Sequence, residues 1–429
     1  LIPFRRVLQA TLTLAAMVSL TAVAPPPAGT RIVDNAILAE QVGILDVPEF
    51  LSDHPGLAAA ALDRDPAVVA EWWQSLRRRE HVRLITTMPE VIGGLAGVDY
   101  ASRDTANRAE LEREIAAALE LATRRQLDET GAERLAALRA IEGAAKAKGR
   151  YLLELTTDNP PLAAISIGRL NVARMVTFVV PGMGTLTTDM QLWTRAAKNI
   201  YDAQAAAGAS RHAVVAWIGY RTPPVGLEAT RDAYADRGAV LLERDILGLR
   251  AARGDNQPVV NVVAHSYGAT TAAKALRRDL GVRSFVMLGS AGVDPSIGTS
   301  SEIKAEQVFT GEADADVQAR WGRTDRRDPC AAEFAAVRID VDGNAEAGLL
   351  PVTGHAPIVH SPWNDDPASP AWTKYEDADV RDTLYAEHMA SFGYFDVGTQ
   401  SLANVGAVTT PPRERGHGYR ASSLTKSSS

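Results

Sequence analysis

The stretch "VVNVVAHSYGATTAAKAL", residues 259 to 276, sets a serine between an apolar run and an alanine-rich segment with helical composition. A strand that turns directly into a helix at a serine is a nucleophile elbow. The serine is then held in a strained conformation, and strand and helix approach so closely that the residues two before and two after it must be small. Here they are Ala264 and Gly268, giving A-x-S-x-G around Ser266. The chemistry such a serine serves is nucleophilic acyl transfer. Its hydroxyl is a weak nucleophile alone and needs a base to take its proton and an acid to orient that base.

With this strand–elbow–helix arrangement the acid and then the base follow the serine in the chain. That order removes His54, His81 and His212, and His265, adjoining the serine, reads as a packing residue. The base is left among His355, His360, His388 and His417, the last in the polar tail. Asp314 and Asp316 lie just past the strand "QVFT", where the carboxyl ends of strands gather functional groups, and either can supply the acid. Two backbone donors are needed for the developing oxyanion. The Tyr267 N–H is one, and "VVPGMGT" supplies Gly182, Met183 and Gly184 for the other, with Met183 the chosen donor. A dinucleotide reading of that Gly-x-Gly fails, because Thr187 holds the place of the third glycine.

The elements that position these residues are legible as a change of texture at Gly149. Before it, Asp65 caps a helix with Pro66 at its first position, and Val69, Trp72 and Leu76 recur at helical spacing. From Arg103 to Lys148 helix formers dominate, broken at "DETGAE", which predicts a helical hairpin. After Gly149, short apolar runs alternate with helical stretches: "AAISIG", "RMVTFVV", "AVVAWIGY", "PVVNVVAHS", "SFVMLGS", "EQVFTGE" and "VRIDVD". These predict parallel strands joined by crossover helices.

At 429 residues and 46% hydrophobic composition the chain can bury one large core and a smaller one. A net charge of −7 argues against a nucleic-acid partner. The single cysteine, Cys330, excludes an internal disulfide framework and a cysteine-based zinc cluster. No Walker A, H-E-x-x-H or EF-hand pattern occurs, so neither cofactor nor metal is expected. Residues 1–24 place Arg5 and Arg6 before an apolar run ending Ala22-Val23-Ala24 and read as a secretory signal or N-terminal anchor.

The order of "VAEWWQSLRRREHVRLITTMPEVIGGLAGVDYASRDTANR", "VVPGMGT", "AWIGY", "VVAHSYGA" and "GYFDVGTQSLANV" resembles a family of actinobacterial α/β-hydrolases whose domain was long catalogued as of unknown function. The resemblance implies the α/β-hydrolase fold, a mostly parallel sheet flanked by helices and preceded by a helical N-terminal region, with Ser266 as nucleophile. It implies no agreed substrate. It favours Asp316 over Asp314 through the spacing from acid to Gly322. It favours His388 as base because the family's histidine comes shortly before a tyrosine and a final helix; His355 and His360 are the alternatives. The chain departs from the family in Ala264, where glycine is usual, and in the long segment between Asp316 and Gly393.

The expected organisation is a signal or anchor over 1–24, a linker over 25–43, a helical region over 44–149, a catalytic domain over 150–408 and a disordered tail over 409–429. The expected protein is a secreted or cell-envelope-associated serine hydrolase acting on a small-molecule or lipid-like carboxylic ester, less readily an amide. The alternative is a non-catalytic protein of the same fold that binds a cell-envelope ligand or partner.

Overall fold

The expected cap at Asp65 forms: its side chain accepts the Ala67 N–H at 2.9 Å, and helix α1 runs Pro66–Ser75. The computed structural model describes residues 65–411, so the expected leader, linker and most of the tail lie outside the described residues, as do His54 and His417. Helices α2 (Arg78–Thr87) and α3 (Pro89–Gly94) follow. The hairpin then appears as α4 (Tyr100–Thr123) and α5 (Glu129–Ala145), capped by Asp99 and Asp128. Asp99 also accepts the Trp73 indole N–H at 2.9 Å, which ties α1 to the start of α4.

Eight strands form one sheet: β1 (Arg150–Leu155), β2 (Ala163–Ile167), β3 (Met175–Val180), β4 (His212–Ile218), β5 (Val259–His265), β6 (Val282–Leu288), β7 (Ala305–Gly311) and β8 (Val337–Arg338). Their order is β1-β2-β4-β3-β5-β6-β7-β8. From β4 to β8 every neighbouring pair is parallel. The expectation of parallel strands fails for "AAISIG", since β2 runs antiparallel to both β1 and β4. The chain between β1 and β2 is too short for the crossover that a parallel pair needs. Strand β1 itself was not anticipated. As an edge strand it needs partners for its outer backbone groups, and α4 supplies them: Asp104 accepts the Leu152 N–H at 2.6 Å and Asn107 donates to the Leu152 carbonyl at 3.1 Å.

The crossover helices are α6 (Met190–Ala206), α7 (Ala233–Arg253) and α8 (Tyr267–Ala275). Beyond β7 come α9 (Val317–Gly322), α10 (Pro370–Thr373), α11 (Ala378–Met389) and α12 (Gln400–Thr409). Leu242, Ile246 and Leu249 of α7 pack with the alanines of α8 on one face of the sheet. Leu138 and Ile141 of α5, Trp193 and Ile200 of α6, and Val405 and Val408 of α12 pack on the other. The expected tail begins too early, because Thr409 ends α12 and both it and Thr410 are fully buried. Among the described residues no helix is long and apolar enough to cross a membrane.

Strand β3 has β4 on one side and β5 on the other, so the connections leaving β3 and β5 diverge at their carboxyl ends. Such a switch point opens a crevice for ligands. The loop after β3 holds Gly182 to Gly184, and β5 ends at His265, directly before Ser266.

Helix α12 closes the sheet through Gly406, where an added Cβ would lie 2.7 Å from the backbone C and O of Ala203 in α6. Gly406→Val is therefore expected to cost about 1–3 kcal/mol of stability through overpacking. Urea unfolding measures this, and an unchanged midpoint would contradict the packing described.

Candidate active site

Ser266 joins β5 to α8 with φ +56° and ψ −128°, a region that residues with side chains rarely occupy. Three backbone hydrogen bonds hold it there. Its N–H donates to the Leu288 carbonyl at 2.9 Å, and its own carbonyl accepts the N–H groups of Ala269 and Ala291 at 3.0 and 3.3 Å. The small-residue requirement is concrete at Gly268, whose Cβ would lie 2.5 Å from the Val180 carbonyl oxygen and 2.6 Å from that of Pro181. Ala264 is fully buried. The loop after β3 presses equally close, since a Cβ on Gly182 would sit 2.6 Å from Ser266 Cβ and 3.1 Å from Oγ.

His355 lies against the serine hydroxyl, with Nε2 2.9 Å from Ser266 Oγ. Its Nδ1 is 2.9 Å from each carboxylate oxygen of Asp316, which caps α9 through the Ala319 N–H. The structure thus brings Ser266, His355 and Asp316 into one hydrogen-bonded chain. Asp314 stands apart, its N–H donated to Asp342 and its carbonyl taken by Arg320.

The choice of His388 is corrected. Its Nε2 is 2.9 Å from Asp365 Oδ1, and His360 Nδ1 is at the same distance from that same atom, so Asp365 engages both rings. The reason lies in the path of the chain. The N–H groups of Tyr394 and Phe395 donate to the carbonyls of Ala356 and Pro357 at 3.1 and 2.8 Å. Residues 361–391 loop out between these paired segments, so the histidine that precedes the tyrosine in space is His355.

Two supporting residues were not legible as such. His265, read as a packing residue, donates Nε2–H to the His355 carbonyl at 2.8 Å. Burial, and then repulsion from His355, depresses its pKa to about 3, so the ring is neutral and keeps this proton. Tyr394 donates its hydroxyl proton to Asp316 Oδ2 at 2.8 Å and accepts the Ala313 N–H at 3.1 Å. Burial alone would raise the Asp316 carboxyl. The hydrogen bonds and charge of His355, with those from Ala319 and Tyr394, outweigh it and hold the group below the usual aspartate value.

Of the expected oxyanion donors, neither the Tyr267 nor the Met183 N–H has a hydrogen-bond acceptor among the described residues, whereas the Gly184 N–H donates to the Pro223 carbonyl at 2.8 Å. The Tyr267 hydroxyl is committed to the fold, donating to the Arg231 carbonyl and accepting the Ala235 N–H.

Residues 158–321 match a protein-family model described as "Alpha/beta hydrolase". The chain has the α/β-hydrolase fold, and the matched span includes Ser266 and Asp316 but ends before His355. Two curated proteins from strains of Mycobacterium tuberculosis, both named uncharacterized, are 28% identical over 297 residues, covering 60% of this chain and 44% of theirs. The chain therefore spans less than half the length of these relatives. Similar solved structures include an α/β serine hydrolase without lid from Xanthomonas campestris, at 17% identity and TM-score 0.31, covering 49% of this chain and 87% of that one. Another is a dienelactone hydrolase from Anabaena variabilis, at 15% identity and TM-score 0.31, covering 57% and 98% respectively.

The buried groups give stability a defined pH dependence. Asp316 titrates lower in the fold than in the unfolded chain, so its contribution is present above about pH 4 and is lost as pH falls further. His265 acts in the same direction: below about pH 6.5 the unfolded chain takes up a proton that the fold refuses down to about pH 3. Melting temperature is expected to fall as pH drops through this window, and less steeply in His265→Gln. Equal slopes for the two proteins would contradict a neutral, buried His265.

Proposed function

We propose that this protein is a serine hydrolase that cleaves carboxylic esters, less readily amides, through an acyl-enzyme on Ser266. The observation that carries this reading is the continuous chain from Ser266 Oγ through His355 to the buried Asp316 carboxylate. His355 Nε2 takes the hydroxyl proton as Oγ attacks the ester carbonyl, and Asp316 stabilises the imidazolium that results. The Tyr267 and Met183 N–H groups receive the oxyanion. The tetrahedral species collapses as His355 returns the proton to the leaving alcohol, and water then releases the acid by the same steps.

The surroundings favour an apolar substrate. Leu186 follows the Gly182–Gly184 turn, and Val225 and Leu227 follow β4; they are 59%, 78% and 86% exposed. The two loops are tied by hydrogen bonds from Gly184 to Pro223 and from Thr222 to Thr185. Trp321, 83% exposed, stands on α9 directly after Asp316. Exposed apolar groups on the segments that leave the carboxyl ends of the strands are a feature of surfaces that meet apolar ligands. A lipid-like ester is accordingly the proposed substrate. Export to the cell envelope is part of the proposal and rests on the sequence of residues 1–24 alone.

Hydrolysis of p-nitrophenyl acetate, butyrate and octanoate tests both parts. Ser266→Ala and His355→Ala are each expected to lower kcat by about 10⁴ to 10⁶, as for members of one catalytic unit. His388→Ala should retain at least about a hundredfold more activity than His355→Ala. The value of kcat/KM should rise with acyl length, and a fall would contradict the apolar substrate. Turnover that survives Ser266→Ala would contradict an acyl-enzyme on Ser266, and its absence from the wild type on every ester would favour the non-catalytic alternative.

A further inference from the structure

The chain after His355 carries a second convergence of side chains that the hydrolytic steps leave unused. His360 follows His355 on the same segment, Asp365 comes soon after it, and His388 lies in the last turn of α11. Nδ1 of His360 and Nε2 of His388 each lie 2.9 Å from a single atom, Asp365 Oδ1, and the ligand atoms of the three residues all lie within 4.8 Å of one another. The two rings are tilted at 57° with centroids 5.2 Å apart, so their nitrogens converge without the rings stacking.

We propose that His360, Asp365 and His388 bind a divalent transition ion of the zinc class, with water completing its coordination. Two ligand atoms each about 2.05 Å from such an ion lie about 2.9 Å apart when their bonds meet at 90° and about 3.3 Å apart at the tetrahedral angle. The observed separations therefore need only small side-chain shifts to admit an ion. Two imidazoles and one carboxylate suit zinc and its neighbours, whereas calcium and magnesium prefer oxygen alone.

The surroundings hold the three residues in place without blocking them. The Tyr385 hydroxyl donates to the Asp365 carbonyl at 2.7 Å, the Trp372 ring lies 5.1 Å from that of His388, and the Phe392 ring lies 4.9 Å from that of His360. Nε2 of His360 is buried with no partner among the described residues, so no second bond locks the proton on Nδ1 and that nitrogen is available to an ion. Side-chain exposures of 19%, 33% and 11% leave a path for the ion and for its waters. A bound ion would fasten the loop carrying His360 and Asp365 to α11.

Untagged full-length protein, stripped with a chelator and freed of it, is titrated with zinc chloride by calorimetry and with cobalt(II) by visible absorption. One equivalent should bind with Kd on the order of 1 μM or tighter, with a cobalt spectrum of low symmetry. Asp365→Ala and His388→Ala should each weaken binding by about a hundredfold. Asp365→Asn, which preserves shape and can still accept a hydrogen bond, should weaken it similarly and decides the matter if the alanine variants misfold. Cys330→Ser should bind as the wild type does. It removes the thiol from the other candidate cluster among the described residues, Glu312, Asp328 and Cys330, where Arg323 already pairs with both carboxylates. No binding by the wild type at about 100 μM zinc, roughly a hundredfold above the expected Kd, would overturn the proposal. So would affinity that survives the Asp365 and His388 substitutions, or that falls in Cys330→Ser.

Discussion

At Ser266 the backbone adopts φ +56°, a conformation that costs on the order of 1–3 kcal/mol for a residue with a side chain. The neighbouring structure is arranged to hold that conformation. Strand β5 lies between β3 and β6 in the buried middle of the sheet, so its end cannot relax without breaking ladders on both sides. Leu288, at the end of β6, takes the Ser266 N–H, and the start of α8 and Ala291 take its carbonyl. Gly182 and Gly268 lack side chains where a Cβ would strike the serine itself or the backbone of Val180 and Pro181.

The histidine side of the site is built differently. His355 comes from a loop, and loops need tethers to hold a ring to within a fraction of an ångström. Three are present. Asp316 holds Nδ1, His265 holds the carbonyl, and Tyr394 and Phe395 hold the two peptide groups that follow. His265 is adjacent to Ser266 in the chain, so the elbow positions the serine and anchors the backbone of its partner. Tyr394 is adjacent to Phe395 and also bonds to Asp316, so one short segment orients both the loop and the carboxylate.

Ser266 was legible because an elbow demands small residues at fixed positions, and Ala264 and Gly268 record that demand locally. Asp316 was legible as one of two residues at the end of β7, since strand ends are visible in sequence. His355 was not chosen, because the looped-out residues 361–391 place another histidine nearer to Tyr394 in sequence while the backbone pairing of Ala356 with Tyr394 brings His355 nearer in space. That pairing is long-range and leaves no periodic trace. The direction of β2 is not legible for a similar cause, since apolar runs identify strands but carry no sign of their orientation, and β1 is obscured because Arg150 and Glu154 interrupt its apolar run. The convergence of His360 and His388 on Asp365 follows no motif spacing, so it emerges only when α11 folds back over the loop.

Covalent capture of the serine tests most directly whether His355, held on Asp316, activates it. Incubation with a fluorophosphonate, followed over time by intact-protein mass spectrometry and peptide mapping, reports both the residue and its rate of reaction. One adduct per chain is expected, on Ser266, forming about 10³-fold or more faster in the wild type than in His355→Ala. An adduct on another residue, or equal rates in the two proteins, would contradict a Ser266 nucleophile served by His355.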